Sequence, residues 1–308
     1  MIISTGFCGQ LGNHILILNN LIQLSEFLKI HIQFKSKYIS KFFQLYLNRY
    51  KDAEEFKTYS ILLNSRQLVK IFDNEPCVTK TKLIEYSKKG HIVVVQPFLG
   101  ELFFRYNFVD PNQFIKLKPQ YSVDDYMNPN VINIGIHIRD MGSWNERHEG
   151  MSDLKPEYYI NAIKFCIENQ DNLNKSKNIA EDKQLLFILI GATSNKQSSL
   201  GEKCDVSHYP PYIKTEKYLK MNNHSFEYGI TTMNPVKEYI FDWAQLSECD
   251  VIISSAGTFA ITAGILGKPN KKIIHNKEWV EYAANKYDTF WKDLYDGGNP
   301  YYKCWKLI

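Results

Sequence analysis

From residue 131 to residue 139 the chain reads Val-Ile-Asn-Ile-Gly-Ile-His-Ile-Arg. Isoleucine stands at 132, 134, 136 and 138, and only a β-strand turns that spacing into one apolar face. The opposite face then carries Asn133, Gly135, His137 and Arg139. A central parallel strand is normally apolar on both sides. A strand like this one is therefore either an edge strand with solvated polar groups or a strand aimed at a ligand. Open α/β sheets bind ligands beyond the C-terminal ends of their strands, where His137 and Arg139 fall. Arginine presents a rigid fork suited to phosphate oxygens and histidine can donate beside it, so the functional reading is an anion site. Gly135 leaves room for a close approach.

The rest of the chain repeats the strand–loop–helix theme. Ile2–Ser4 reads as a strand and Gly6 to Asn13 as a glycine-punctuated loop. Leu11–Leu28 reads as a helix with Ile15, Leu18, Leu21, Ile22 and Leu24 on one stripe, and Ile30–Phe34 as the next strand. That order opens an α/β domain. The Lys- and Tyr-rich stretch 38–90 reads as mostly helical, His91–Val95 as a buried strand, and Tyr121–Asn130 as a linker. A second series follows: strands at Val131–Ile138, Leu185–Ile190, Asp250–Ser254 and Lys272–Ile274, and helices at Pro156–Asn169, Pro235–Cys249 and Thr258–Leu266. Asn234 is placed to cap the Pro235 helix. Asn169–Lys183 and Thr193–Tyr228 read as solvated loops, the second long enough to act as a lid. The division predicted is an N-terminal α/β domain (1–125), a C-terminal nucleotide-binding α/β domain (126–275) and a helical C-terminal segment (276–308).

Composition removes several classes. With 308 residues, 44% hydrophobic and 23% charged, the chain can bury two cores and is not disordered. No apolar run approaches the roughly 20 residues of a membrane span. Subtracting 33 acidic from 37 basic side chains leaves +4, which does not announce a nucleic-acid partner. The six cysteines form no CxxC pair and are expected as reduced thiols, and no Cys/His set has zinc spacing. Strand residues start at Ile2 without a leader or stem, so a cytoplasmic enzyme is expected. The Lys-rich first domain and Lys271–Lys272 could touch a membrane surface or an acidic glycan, though a solvated face is the simpler reading.

Two further loops favour anions. In Asp250-Val-Ile-Ile-Ser-Ser-Ala-Gly-Thr-Phe-Ala a strand runs through small residues into a helix. Ser255, Gly257 and Thr258 would offer amides and hydroxyls at a helix N-terminus; an ordinary N-cap is the competing reading. Gly9-x-x-Gly12-Asn13 is the same kind of signal in the first domain, but it is neither GxGxxG nor a P-loop. Such loops, split between two domains, fit a diphosphate held in an interdomain cleft.

These residues carry a resemblance. Gly9-Gln-Leu-Gly-Asn13 resembles the G-x-L/F-G-N motif of the α-1,2-fucosyltransferases, within the superfamily that also holds the α-1,6- and protein O-fucosyltransferases. Gly135-Ile-His-Ile-Arg139 resembles the start of their H-x-R-R-x-D motif. Asp242-Trp-Ala-Gln-Leu-Ser-Glu-Cys249 with Ser255-Ala-Gly-Thr-Phe259 resembles their D-x-x-x-L-x-x-C helix and G-T-F loop. Gln96–Phe104 and Lys155–Ala162 are similar to connecting segments, and the ordered set spans Gly6 to Gly267. The resemblance implies a GT-B fold, two Rossmann-like domains facing a cleft with a C-terminal helix crossing back, and an inverting, metal-independent glycosyltransferase acting on a glycan. It implies a nucleotide-sugar donor, GDP-fucose, and no other cofactor. Arg139 would hold the β-phosphate with His137 in support. Gly12 and Asn13 would close over the diphosphate, Ser255, Gly257 and Thr258 would bind phosphates, and Phe259 would pack on the nucleotide. Asp242 would serve the nucleobase or brace its loop. Trp144 is the candidate acceptor platform.

Two positions depart from the pattern. Where the family has a second Arg and then an acid, this chain has Asp140 and Gly142. That change keeps open a relative using another donor, such as UDP-xylose, or an inactive protein that only binds glycan or nucleotide. Asp-x-Asp, the usual metal motif of sugar-nucleotide transferases, is absent from the sequence. A general base is not singled out among Asp73, Glu101, Asp140, Glu146 and Glu149.

Overall fold

A computed structural model describes residues 2–4, 11–30, 32–34, 36–46, 58–63, 70–71, 73–76, 78–89, 92–97, 109–139, 154–175, 184–191, 196–197, 203–204, 207–234, 236–286 and 304–308. The chain folds as two units that divide between Lys118 and Pro119, ahead of the boundary expected after Asp125. The stretch expected as a linker belongs to the second unit and is built of single 3-10 turns at Pro119–Tyr121 and Asp124–Tyr126.

The first unit carries β1 (Ile2–Ser4), α1 (Leu11–Leu28), β2 (Ile32–Phe34), α2 (Lys37–Phe42), β3 (Phe43–Leu45), β4 (Thr58–Leu63), α3 (Val78–Lys88), β5 (Ile92–Pro97) and β6 (Ile115–Leu117). Its main sheet is parallel in the order β2-β1-β5-β4, and β3 pairs antiparallel with β6 in a separate two-stranded sheet. α1 is buried almost all round rather than along one stripe: His14, Asn19, Asn20 and Gln23 are buried with the aliphatic residues. Burial of that kind needs polar partners. Gln23 supplies some of them by donating from Nε2 to the Val109 carbonyl at 2.8 Å and accepting the Val109 amide at 3.1 Å.

The helical reading of 38–90 is corrected at β4. Thr58–Leu63 pairs with β5 along its whole length, from Thr58↔Ile92 to Leu63↔Pro97. Its β-branched and aromatic residues suit a strand, and the polar stretches on either side hide the period.

The second unit holds β7 (Ile132–His137), α4 (Pro156–Glu168), α5 (Gln170–Lys175), β8 (Leu185–Ile190), a ribbon of β9 (Lys196–Gln197) and β10 (Lys203–Cys204), α6 (Pro210–Met221), β11 (Phe226–Tyr228), α7 (Ile230–Met233), α8 (Ile240–Glu248), β12 (Val251–Ile253), α9 (Thr258–Ile265), β13 (Lys272–His275), α10 (Lys277–Lys286) and β14 (Cys304–Leu307). Its sheet is parallel throughout, in the order β11-β8-β7-β12-β13-β14. Counted along the chain these strands are 3-2-1-4-5-6, the doubly wound Rossmann order, whose direction of winding reverses between β7 and β12.

Several expectations change here. The segment 193–228 is not one long lid loop, because α6 packs Tyr212, Thr215 and Leu219 inward and β11 adds an edge strand beside β8. α8 begins at Ile240, not Pro235. Asn234 instead follows α7 and accepts the Val236 amide at 3.2 Å. The C-terminal segment is not helical throughout, because β14 pairs parallel with β13. Trp305 there meets Phe165 edge-on at 4.8 Å and lies under Lys272 at 4.6 Å, anchoring the strand on the sheet edge. Cys166 and Cys249 are buried free thiols.

Candidate anion-binding site

β7 is an interior strand, flanked by β8 and β12, and all six of its residues are buried. The edge-strand reading of its polar face therefore fails. Gly135 accommodates the protein itself rather than a ligand: a Cβ there would lie 2.7 Å from Leu246 Cδ2 and 2.9 Å from Cys249 Sγ. Leu246 lies in α8 and Cys249 caps its C-terminus, so the Leu246 and Cys249 positions of the D-x-x-x-L-x-x-C pattern are explained by the close packing of that helix and its cap on β7. Asn133 is tied down as well, its amide donating to Asp250 Oδ2 at 2.9 Å and its Nδ2 to the Asn128 carbonyl at 2.8 Å.

The C-terminal ends of β7 and β12 converge at the reversal of the sheet. Their register, Ile253↔Ile136, sets His137 and Arg139 beside the turn Ser254–Gly257. His137 Nδ1 is 2.6 Å from Ser255 Oγ, and its ring stacks on Phe259 with centroids 5.0 Å apart and planes at 24°. Arg139 reaches the N-terminus of α9, where a Cβ on Gly257 would stand 3.3 Å from Arg139 Nη1. Gly257 has φ 103° and ψ 178°, a region essentially reserved for glycine. A side chain there would also crowd the guanidinium. Five residues singled out in the sequence thus meet in one place: His137, Arg139, Ser255, Gly257 and Phe259.

The site combines two sources of positive potential. One is the Arg139 guanidinium; the other is the amide end of α9, which carries the positive end of the helix dipole. Arg139, Gly257, Thr258 and Phe259 are half-buried, whereas His137 and Ser255 lie behind them, buried. Burial, helped by the neighbouring Arg139 charge, lowers the His137 pKa to about 3, so the ring is neutral at pH 7. His137 contributes hydrogen bonds rather than charge.

Supports not picked out as site residues hold this turn in place. Tyr158, in the first turn of α4, bridges with its hydroxyl the carbonyls of Ser254 at 2.8 Å and Ile274 at 3.0 Å. Trp243 Nε1 donates to Thr262 Oγ1 at 3.1 Å, and that hydroxyl contacts the Thr258 carbonyl at 2.9 Å. At the far end of α9 the buried Lys271 ammonium donates to the carbonyls of Ser247 at 2.8 Å, Ala263 at 2.6 Å and Leu266. Tyr158 lies in the Lys155–Ala162 segment that the resemblance marked. Lys271, expected on a solvated or surface-contacting face, is instead buried among these carbonyls, and nothing local in the sequence marks Thr262.

Asp242 is buried and engages the start of α7. Its carboxylate accepts the Thr231 amide at 3.0 Å and the Thr231 hydroxyl at 2.5 Å, while Gln245 accepts the Ile230 amide at 3.1 Å. Asp242 and Gln245 together fix the start of α7 beyond the end of β11. Gly12 and Asn13 lie in the first turn of α1, in the first unit, with Gly12 buried and Asn13 half-buried. Asp73 sits in an exposed turn. Trp144, Glu101, Asp140, Glu146 and Glu149 lie outside the described residues. Among the described residues, no group of three or more His, Cys, Asp or Glu side chains is arranged to hold a metal ion, and no helix is long and apolar enough to cross a membrane.

No protein-family model matches the chain, and neither does any curated protein. Solved structures do. The chain is similar to POFUT1 in complex with GDP-fucose, at 10% identity and a TM-score of 0.50 over 85% of this chain and 93% of that one. It is also similar to a mutant of Arabidopsis thaliana FUT1 in complex with GDP, at 12% identity and a TM-score of 0.48 over 86% and 69% of the two chains. NodZ α-1,6-fucosyltransferase soaked with GDP-fucose matches at 10% identity and a TM-score of 0.43 over 90% and 94%. The likeness to the POFUT1 structure is one of fold. With a parallel sheet in each unit, this chain is of the GT-B class.

Proposed function

We propose that the chain is a glycosyltransferase of the fucosyltransferase superfamily that moves fucose from GDP-fucose onto a glycan hydroxyl, with inversion and without a metal. One observation carries the reading: Arg139 lies against the Gly257 turn at the N-terminus of α9, at the point where the second sheet reverses its winding. In doubly wound sheets this is where a nucleotide's phosphates are held. The motifs shared with the α-1,2 members, in the same order along the chain, point to that branch and to fucose.

The chemistry follows from the charges. When the sugar leaves, negative charge builds on the departing diphosphate. A fixed guanidinium and preorganised amides aimed at it stabilise the transition state more than the ground state. In this reading Arg139 supplies a fixed unit positive charge where a metal would otherwise act, and the amides of Gly257 to Phe259 add donors. Neutral His137 adds a hydrogen bond, and Phe259 offers a flat surface beside it. Asp242, engaged with Thr231, braces the α7 turn.

Thermal shift with GDP, UDP, GDP-fucose and UDP-xylose tests the reading. GDP and GDP-fucose are expected to stabilise the protein, by about 2.7 kcal/mol at about 100 times Kd. Selective stabilisation by UDP or UDP-xylose would replace the donor. No response to any of the four would leave a glycan-binding protein without a donor site. Transfer from GDP-fucose to a glycan acceptor should persist in EDTA; its loss there would reinstate a metal.

A further inference from the structure

We infer that the Ser255 hydroxyl donates to His137 Nδ1 and so locks the imidazole as its Nε2–H tautomer, turned into a donor for an anionic oxygen. Ser255 is then a positioning residue acting through His137, rather than a phosphate ligand in its own right.

The geometry leaves the Ser255 proton few destinations. Ser255 is buried, and its Oγ is 2.6 Å from His137 Nδ1 and 3.2 Å from the Ala256 carbonyl. The contact to Nδ1 is 0.6 Å shorter than the one to the Ala256 carbonyl, so the hydroxyl proton goes to the ring nitrogen. A neutral imidazole carries one proton on one nitrogen, so accepting at Nδ1 puts the hydrogen on Nε2. The ring cannot take a second proton cheaply, being buried and next to the Arg139 guanidinium. Turning the ring over would keep its stack on Phe259 but put a carbon where Nδ1 meets Ser255 Oγ at 2.6 Å, so that contact sets which way the ring faces. Among the described residues Nε2 has no hydrogen-bond partner. A donor without a partner beside a guanidinium is matched to an anion, whereas a bare nitrogen there would repel one. With its only proton given to His137, Ser255 has no proton left for a ligand.

What Nε2–H serves rests on the donor-site reading above; the tautomer does not. The test is a long-range 1H–15N correlation spectrum of the full chain labelled with 15N-histidine at neutral pH, with His137 assigned by the loss of its signals in His137→Gln. The expected pattern is a bare, hydrogen-bonded Nδ1 and a protonated Nε2. A protonated Nδ1, or two protonated nitrogens, would overturn the inference. In Ser255→Ala the Nδ1–H form should gain population and GDP affinity should fall about tenfold. An unchanged tautomer in that variant would remove Ser255 from the role. If Ser255→Ala does not fold, the wild-type spectrum decides alone. If wild-type protein shows the Nε2–H pattern but binds no GDP, the tautomer stands and the donor reading falls.

Discussion

Arg139 and Gly257 come from strand ends more than a hundred residues apart in the sequence and meet so closely that a Cβ on Gly257 would stand 3.3 Å from Arg139 Nη1. The missing side chain at 257 and the long one at 139 are two halves of one arrangement. Glycine supplies the φ of 103° and the free space, and arginine supplies the charge that occupies the mouth of the turn.

Gly257→Ala is therefore expected to act twice. The strained backbone should lower stability by about 1–3 kcal/mol, measurable as a shift in urea midpoint. Displacement of Arg139 should in addition weaken the GDP response beyond what reduced stability explains.

Arg139→Ala removes the charge without opening a core, since Arg139 is half-buried at a strand end. The melting temperature should stay near wild type while transfer falls by about 10²–10³-fold. Arg139→Lys should recover little of this, because a point charge does not reproduce the planar fork. Full turnover in Arg139→Ala would remove it from the proposed chemistry.

Acid should destabilise the protein through its buried histidines. Burial lowers the pKa of both His137 and His275 from 6.5 to about 3, with Arg139 adding to the effect at His137. Between about pH 3 and pH 6.5 the unfolded chain binds protons at these sites that the folded chain refuses. Their contribution to stability is thus complete above about 6.5 and is lost as pH falls toward 3. Thermal melts across that range should show the slope, and His137→Gln should make it shallower.

Gly135→Ala tests the packing of α8 on β7. The added methyl would meet Leu246 Cδ2 at 2.7 Å and Cys249 Sγ at 2.9 Å. Overpacking of this kind costs about 1–3 kcal/mol. Calorimetry should show the loss, and Cys249→Ala in the same chain should return part of it.

Strong local periods made much of the architecture readable from sequence. The six-residue apolar run Leu185–Ile190 and the alternation at Ile132–His137 became buried strands, and α1 starts and stops at Leu11 and Leu28 as read. β4, α6 and β11 were not readable: α6 and β11 are polar enough to pass for loop until a neighbour covers or pairs with them, and polar stretches on either side hide the period of β4. The C-terminal strand β14 is four residues long, too short to show a period.

By itself the sequence determined that His137 and Arg139 project from one strand and that Ser255, Gly257 and Phe259 follow another, because side-chain alternation and small-residue turns are local properties. That the first strand is interior rather than exposed, that Gly135 makes room for α8 instead of a ligand, and that Ser255 faces His137 were decided by tertiary structure alone. Each of these depends on which strands become neighbours. Strand order is set by pairing and burial over the whole sheet, a global balance that no single segment records.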